Sequence, residues 1–370
     1  MKSLKLTVVV CLLAGIGLWP GRQASLLAQE NPGAVFVMTN SANGNQIESY
    51  ARHEDGSLQW TASFATGGNG SGGTIDPLHS QGSLILSPEH RMLFAVNAGS
   101  GTVSSFRVHG TTLELVDTVS SGGSSPSALA QNGDLLYVLN SGGNGNVSGF
   151  RVTPKGQLHP LNKSTSNLSG PATSPTSLVF SPNGQFLVVT ENATNNIDVF
   201  RVLPNGSLSG VVSNSTPGAQ PFAAVFTPSG TLIVAGTSNT ISSFEVQWDQ
   251  TIRTISPALP TDGQATCWDV VTPNGRVVYA VSAGTSNLAG FDIEHDGSLS
   301  PIGATIVGSN PTGSTNLDTA ISQDGRFVYT LNAGTGAIGI FSVQSDGTLR
   351  NDGQIEGLPA SAGLNGLAAF

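Results

Sequence analysis

One pattern recurs along most of the chain, and it constrains the fold more than any other feature. An apolar segment leads into a turn such as SPNG. A second apolar segment follows, then a polar loop, a segment ending in Phe-x-Val, and a turn of the Asp-Gly type. Three instances show it: LVFSPNGQFLVVTENATNNIDVFRVLPNGSL from Leu178, VVTPNGRVVYAVSAGTSNLAGFDIEHDGSL from Val270, and AISQDGRFVYTLNAGTGAIGIFSVQSDGTL from Ala320. The aromatic of the third segment falls at Tyr50, Phe106, Phe150, Phe200, Phe244, Phe291 and Phe341, at intervals of 56, 44, 50, 44, 47 and 50 residues. Repeats of about 40–50 residues with four strand-like segments each are the signature of a propeller blade. The apolar segments are too short for helices and rich in β-branched residues. Asn-Gly and Asp-Gly pairs between them supply the positive φ angles that hairpins need. The insertion GGNGSGG at Gly67–Gly73 accounts for the long first interval and reads as an inter-blade loop.

The expected fold is therefore an all-β, seven-bladed β-propeller with four antiparallel strands per blade. Its two ends predict how the ring closes. The first unit opens on AVFVMTN at Ala34–Asn40, which matches a second strand, and it lacks a first strand. The chain ends on GLAAF at Gly366–Phe370, which matches a first strand with nothing after it. Pairing the two completes one blade and removes the exposed sheet edges. Residues 33–370 are expected to form this single domain.

Residues 1–28 read as a signal peptide. Lys2 and Lys5 precede an apolar run from Leu6 to Trp19, and small residues at Ala24 and Ala28 offer cleavage points. The run is shorter than the roughly 20 residues a spanning helix requires. A secreted or periplasmic protein with no membrane span is expected. Cys11 leaves with the leader, so Cys267 has no partner for an internal disulfide and reads as a buried, inert thiol. The net charge of −9 comes from only 10% charged residues, with no basic run or basic–aromatic stripe, so nucleic acid is not an expected partner. The six histidines are scattered, no metal cluster or cofactor motif is visible, and a monomer is expected.

The units resemble the lactonase family of seven-bladed propellers, which includes bacterial 6-phosphogluconolactonases and fungal carboxymuconate-cyclising enzymes. The likeness covers residues 33–370. It is carried by SPNGQFLVVTENATNNIDVF from Ser181, DGQATCWDVVTPNGRVVYAVSAG from Asp262 and SQDGRFVYTLNAG from Ser322, which look close to secreted bacterial members. The resemblance implies a lactone-opening enzyme whose catalytic pattern uses His and Arg on first strands together with a Glu. The comparable strands here, SPSALA from Ser125 and SPTSLVF from Ser174, carry neither His nor Arg, so those catalytic residues do not transfer.

In a propeller the start of the first strand and the end of the second lie on one face, beside the central channel. Second-strand ends give Asn40, Asn97, Asn140, Glu191, Gly236, Ser282 and Asn332. First-strand starts give His79, Ser125, Thr176, Phe222, Trp268, Asp269, Asn316, Asp318 and Asn365. Glu191, Asp269 and Asp318 are the candidate general acids or bases. His79, Asn97, Asn140, Trp268, Asn316 and Asn332 are the candidate ligand-binding residues. An Asn at a strand end also caps backbone groups, so a structural role for each amide stays open. The ring lacks Arg and Lys, which recognition of a phosphorylated or polycarboxylate substrate would call for. Two functions follow: hydrolysis of an uncharged sugar lactone or related ester, without cofactor, or a non-catalytic extracellular scaffold that binds a glycan or protein.

Overall fold

The computed structural model describes residues 33–216 and 219–370. The proposed leader, with Cys11 and both cleavage points, lies outside them. Among the described residues there is no helix, hence none that could cross a membrane. Seven antiparallel sheets account for the strands. From the axis outward, blade one comprises Leu367–Ala369, Gly33–Met38, Gln46–Arg52 and Leu58–Ala65. Blade two runs from Leu84–Leu86 to Thr112–Ser120. Blade three runs from Pro126–Asn132 to a split outer strand, Leu158–Pro160 and Ser166–Asn167. Blades four to seven start at Pro175–Phe180, Pro221–Phe226, Thr266–Val271 and Asn316–Ile321. The first strands touch one another in sequence around the ring, which makes them the channel wall.

The repeat pattern explains the core. Each second strand is largely apolar ahead of its end because it is covered on both faces by neighbouring blades, as in Leu93–Val96, Leu136–Leu139 and Val278–Val281. The seven third-strand aromatics are all buried between blades. A second device links blades through hydroxyls. Tyr137, Tyr279 and Tyr329 each lie in a second strand and donate Oη to a turn glycine of the next blade: Gly206 at 2.5 Å, Gly347 at 2.9 Å and Gly56 at 3.0 Å. The last of these joins blade seven to blade one.

Ring closure is by the expected pairing of the two ends. Val35, Phe36 and Val37 pair with Ala369, Ala368 and Leu367. Arg52 Nε donates to the Phe370 carbonyl at 3.0 Å, and the Phe370 ring packs against Phe36 and stacks on His90 of blade two. Removing Leu367–Phe370 leaves Gly33–Met38 as an open edge and exposes the apolar seams on either side. Such a truncation is expected to abolish the single cooperative thermal transition of the full-length protein, measured by circular dichroism. A truncated chain that melts at the same temperature would contradict this account of closure.

Candidate functional site at the channel mouth

In blades three to seven the first strand begins the same way. A non-glycine residue with positive φ precedes it: Ser125 (52°), Ser174 (48°), Gln220 (44°), Ala265 (52°) and Thr315 (49°). The pairing register then slips by one residue, between Pro126 and Ala128, Pro175 and Ser177, Pro221 and Ala223, Thr266 and Trp268, and Asn316 and Thr319. A bulge of this kind leaves a residue outside the ladder and turns its backbone groups elsewhere. The freed groups face the mouth, the end of the channel that the inter-blade connections cross.

The chain's own segment takes up those of blades three and four. After blade one, residues 66–73 fold over the rim, where Gly70 and Gly72 donate to the Ser41 and Asn40 carbonyls. Residues 74–83 then run into the channel. Ser80 Oγ donates to Ser127 O at 2.8 Å, Gln81 N to Thr176 O at 2.9 Å, and Leu129 N to Gly82 O at 2.9 Å. Trp268 Nε1 donates to Ser80 O at 3.2 Å. Gln81 meets Asp269 three times: its Oε1 accepts from Asp269 N at 3.0 Å, and its Nε2 donates to Asp269 O at 3.2 Å and to Asp269 Oδ1 at 3.3 Å. One segment thus joins blades three, four and six and plugs the mouth. His79, expected at a first-strand start, instead lies in this plug. The strand begins at Leu84 because residues 76–83 turn tightly, with positive φ at Asp76, His79 and Gly82.

The plug sorts the candidate residues by depth. His79 is exposed, on the outer side. Its Nδ1 is 3.4 Å from Ser174 Oγ, and its ring lies edge-on to Phe222, which lies edge-on to Trp268, at centroid distances of 4.9 and 5.2 Å. Loss of water around the imidazole lowers its pKa and favours the neutral ring. Asp76 within the plug and the buried Asp269 and Asp318 beneath it each have a carboxyl pushed up to about 7, chiefly by desolvation. Asp76 accepts from Asn365 Nδ2 at 3.2 Å. Asp318 Oδ2 accepts from Leu367 N of the closing strand at 2.9 Å. Asp269 keeps Oδ2 without a partner. Cys267, also buried, has its thiol pushed up by desolvation and then by Asp76, which suits an inert role.

The sequence profile described as "Lactonase, 7-bladed beta-propeller" matches residues 26–251 and 112–356. The chain belongs to this lactonase family. Solved structures agree on the fold. A candidate 6-phosphogluconolactonase from Bacteroides uniformis is 18% identical, with a TM-score of 0.71 over 92% of this chain and 100% of that one. The periplasmic gluconolactonase of Pseudomonas aeruginosa is 19% identical, with a TM-score of 0.71 over 91% and 98%. A protein from Lactobacillus plantarum is 17% identical, with a TM-score of 0.72 over 91% and 98%. A search of curated protein sequences found no match.

In this lactonase-family propeller the second-strand ends do not form an open ring of ligand-binding amides. Each clamps the connection arriving from the blade before it. Asn97 Oδ1 accepts from Thr66 Oγ1 (2.6 Å) and Asn45 Nδ2 (3.0 Å). Asn140 Nδ2 donates to Ser121 O (3.2 Å), Asn332 Nδ2 to Asn310 Oδ1 (2.9 Å), and Asn40 Nδ2 to Gly363 O (3.1 Å). Ser282 joins Thr266, which joins Thr261. Gly236 leaves room for the Ala219 carbonyl, which any Cβ would strike. Asn316 is buried in the same seam as Asn332, with neither end of its amide partnered. The second-strand ends thus hold connections, a polar role that burial requires, whereas Asn316 holds none.

Glu191 is the blade-four clamp, and it is fully buried. Its carboxylate accepts from Ser169 N (3.2 Å), Ser169 Oγ (2.7 Å) and Thr194 Oγ1 (2.6 Å). It lies apart from Asp269 and Asp318, in the seam between blades three and four. Beside it is Asp198, also fully buried, which shares the Ser169 N–H at 2.9 Å. Burial and then Glu191 push Asp198 up to about 8, so the pair holds a proton at neutral pH. A carboxyl whose pKa is higher folded than unfolded binds more protons in the native state. Its stabilisation is therefore full at low pH and declines as pH rises from about 4 through about 8. Asp76, Asp269 and Asp318 act in the same direction. Melting temperature is expected to fall between pH 5 and pH 8. Asp198→Asn should raise it at pH 8 by more than at pH 5, because the amide removes the second charge. Equal shifts at both pH values would refute the shared proton.

Proposed function

We propose that this protein hydrolyses an uncharged sugar lactone or related ester at the channel mouth, outside the cytoplasm, with His79 as general base. The observation that carries the reading is the His79 imidazole, exposed at the mouth yet kept neutral and oriented by Ser174 and Phe222. With Nδ1–H donating to Ser174 Oγ, the Nε2 lone pair faces outward. A water deprotonated there attacks the lactone carbonyl carbon. The ring C–O bond then breaks, and the imidazolium returns the proton to the departing oxygen, giving the open hydroxy acid. Gln220, on the adjacent lip of blade five, offers an exposed amide to the carbonyl oxygen. Asp269 and Asp318 support this site from beneath, by holding Gln81 and the closing strand, and Glu191 acts through the seam. Family membership supports the reaction class, and the names of its neighbours point to gluconolactones. No Arg or Lys stands among the described residues at the mouth, which favours an uncharged substrate over a phosphorylated one.

Purified protein is expected to open glucono-1,5-lactone or galactono-1,4-lactone faster than the uncatalysed rate. Its rate should rise with pH through an apparent pKa below 6.5, as a base of lowered pKa requires. His79→Gln should reduce kcat/KM about 100-fold, the lower end of what a positioned base contributes. A variant with full activity would dismiss His79, and no turnover on either lactone would dismiss the reading.

A further inference from the structure

The face opposite the mouth carries the turns between third and fourth strands. Six of them share one geometry: His53–Ser57, Thr153–Gln157, Leu203–Ser207, Gln247–Thr251, Glu294–Ser298 and Gln344–Thr348. In each, the first residue exchanges backbone hydrogen bonds with the fourth and fifth. Five place glycine fourth, with φ between 79° and 86°. The blade-five turn departs twice. Its fourth residue is Gln250, held at φ 71°, and its second is Trp248, where the others carry Glu54, Pro154, Pro204, His295 and Ser345.

The two departures have different consequences. Gln250 pins the turn to blade four: its Nε2 donates to Val199 O (2.7 Å) and Gly210 O (2.9 Å), and its Oε1 accepts from Ser209 Oγ (3.1 Å). That replaces the tyrosine link used elsewhere, since blade four has Val188 at the tyrosine position. Trp248 serves no such purpose. It is 63% exposed, and its indole N–H meets no described acceptor. Yet it is fixed: Arg201 packs over the ring at 4.8 Å and Phe186 meets it edge-on at 6.2 Å. Phe186 also lines a hollow of about 170 Å³ with Ser181, Asn183, Phe226, Ser229 and Val246. The nearby acids are already engaged, Glu245 with Arg253 and Asp249 with its own turn.

We infer that Trp248 and this hollow form a binding platform for a neutral, pyranose-containing glycan. A rigid exposed indole offers a flat apolar face to the C–H groups of a sugar ring with little ordering cost. Hydroxyl and amide side chains beside it match the sugar's own hydroxyls. The platform lies on the face away from the mouth, so it acts independently of any reaction there and would hold the protein on a polymer.

The test is calorimetric titration of the mature protein with cellohexaose, chitohexaose and laminarihexaose. One of them is expected to bind, Trp248→Ala to weaken it at least 10-fold, and Trp248→Phe to keep most of the affinity. Thermal melting of both variants should match the wild type, because the side chain is exposed. Lactone hydrolysis by Trp248→Ala should be unchanged. No binding to any of the three, or binding that Trp248→Ala leaves intact, would overturn the platform. So would a change of oligomeric state on Trp248→Ala, since that marks the face as a contact between copies.

Discussion

The short ladder between Leu367–Ala369 and Gly33–Met38 is the contact on which the rest depends. A propeller blade cannot stand alone: each sheet is apolar on both faces, and only a neighbour on each side covers them. Seven blades in a line would leave two such faces bare. Closure through one strand from the far end of the chain removes both at once and fixes the axis. The mouth inherits its geometry from that. Gln81, on the connection from blade one, can reach Asp269 of blade six only because the ring brings together residues 188 positions apart.

Closure also explains the unusual composition. Every blade passes one connection across the mouth to its neighbour, and the backbone there is buried. Charged side chains would be costly at such sites, whereas Asn, Ser and Thr satisfy the groups without charge. A chain with seven of these crossings is rich in short polar residues and poor in charge. Blade four is the exception. There Glu191 and Asp198 occupy the places that Asn97 and Ser104 hold in blade two, and they are tolerable only while one proton is shared.

Much of the architecture was legible because the repeat is written in residues with strong local meaning. The third-strand aromatics, the Asn-Gly and Asp-Gly turns and the mismatched ends fixed the number of blades and the mode of closure. The mouth was legible only in part. The positions of the seven second-strand ends were correct, but amide side chains look alike whether they hold a backbone or a ligand, and here they hold the backbone. Asp198 was missed although a signal existed: it stands two residues before Phe200, where the repeat has Ser104, Ser148 and Ser242. The plug had no signal. Residues 74–83 show no periodicity, and the hydrogen bonds that seat them reach blades three, four and six, so nothing local marks them as leaving the rim for the axis.

The plug also bears on what kind of molecule the mouth can accept. Asp76 in the plug and Asp269 and Asp318 behind it have their carboxyls pushed well above the usual range, chiefly by desolvation, which leaves little water to screen them. An anionic substrate brought to this surface would push all three further towards the neutral acid, and it would find no guanidinium to offset its own loss of hydration. A neutral lactone meets neither cost. In the proposed reaction the hydroxy acid formed on opening would be an anion at the same spot, so the field that admits the substrate would work against retention of the product. Under the proposed function, selectivity for an uncharged ring and prompt release of a charged chain would have one origin, the burial of carboxyls without cations.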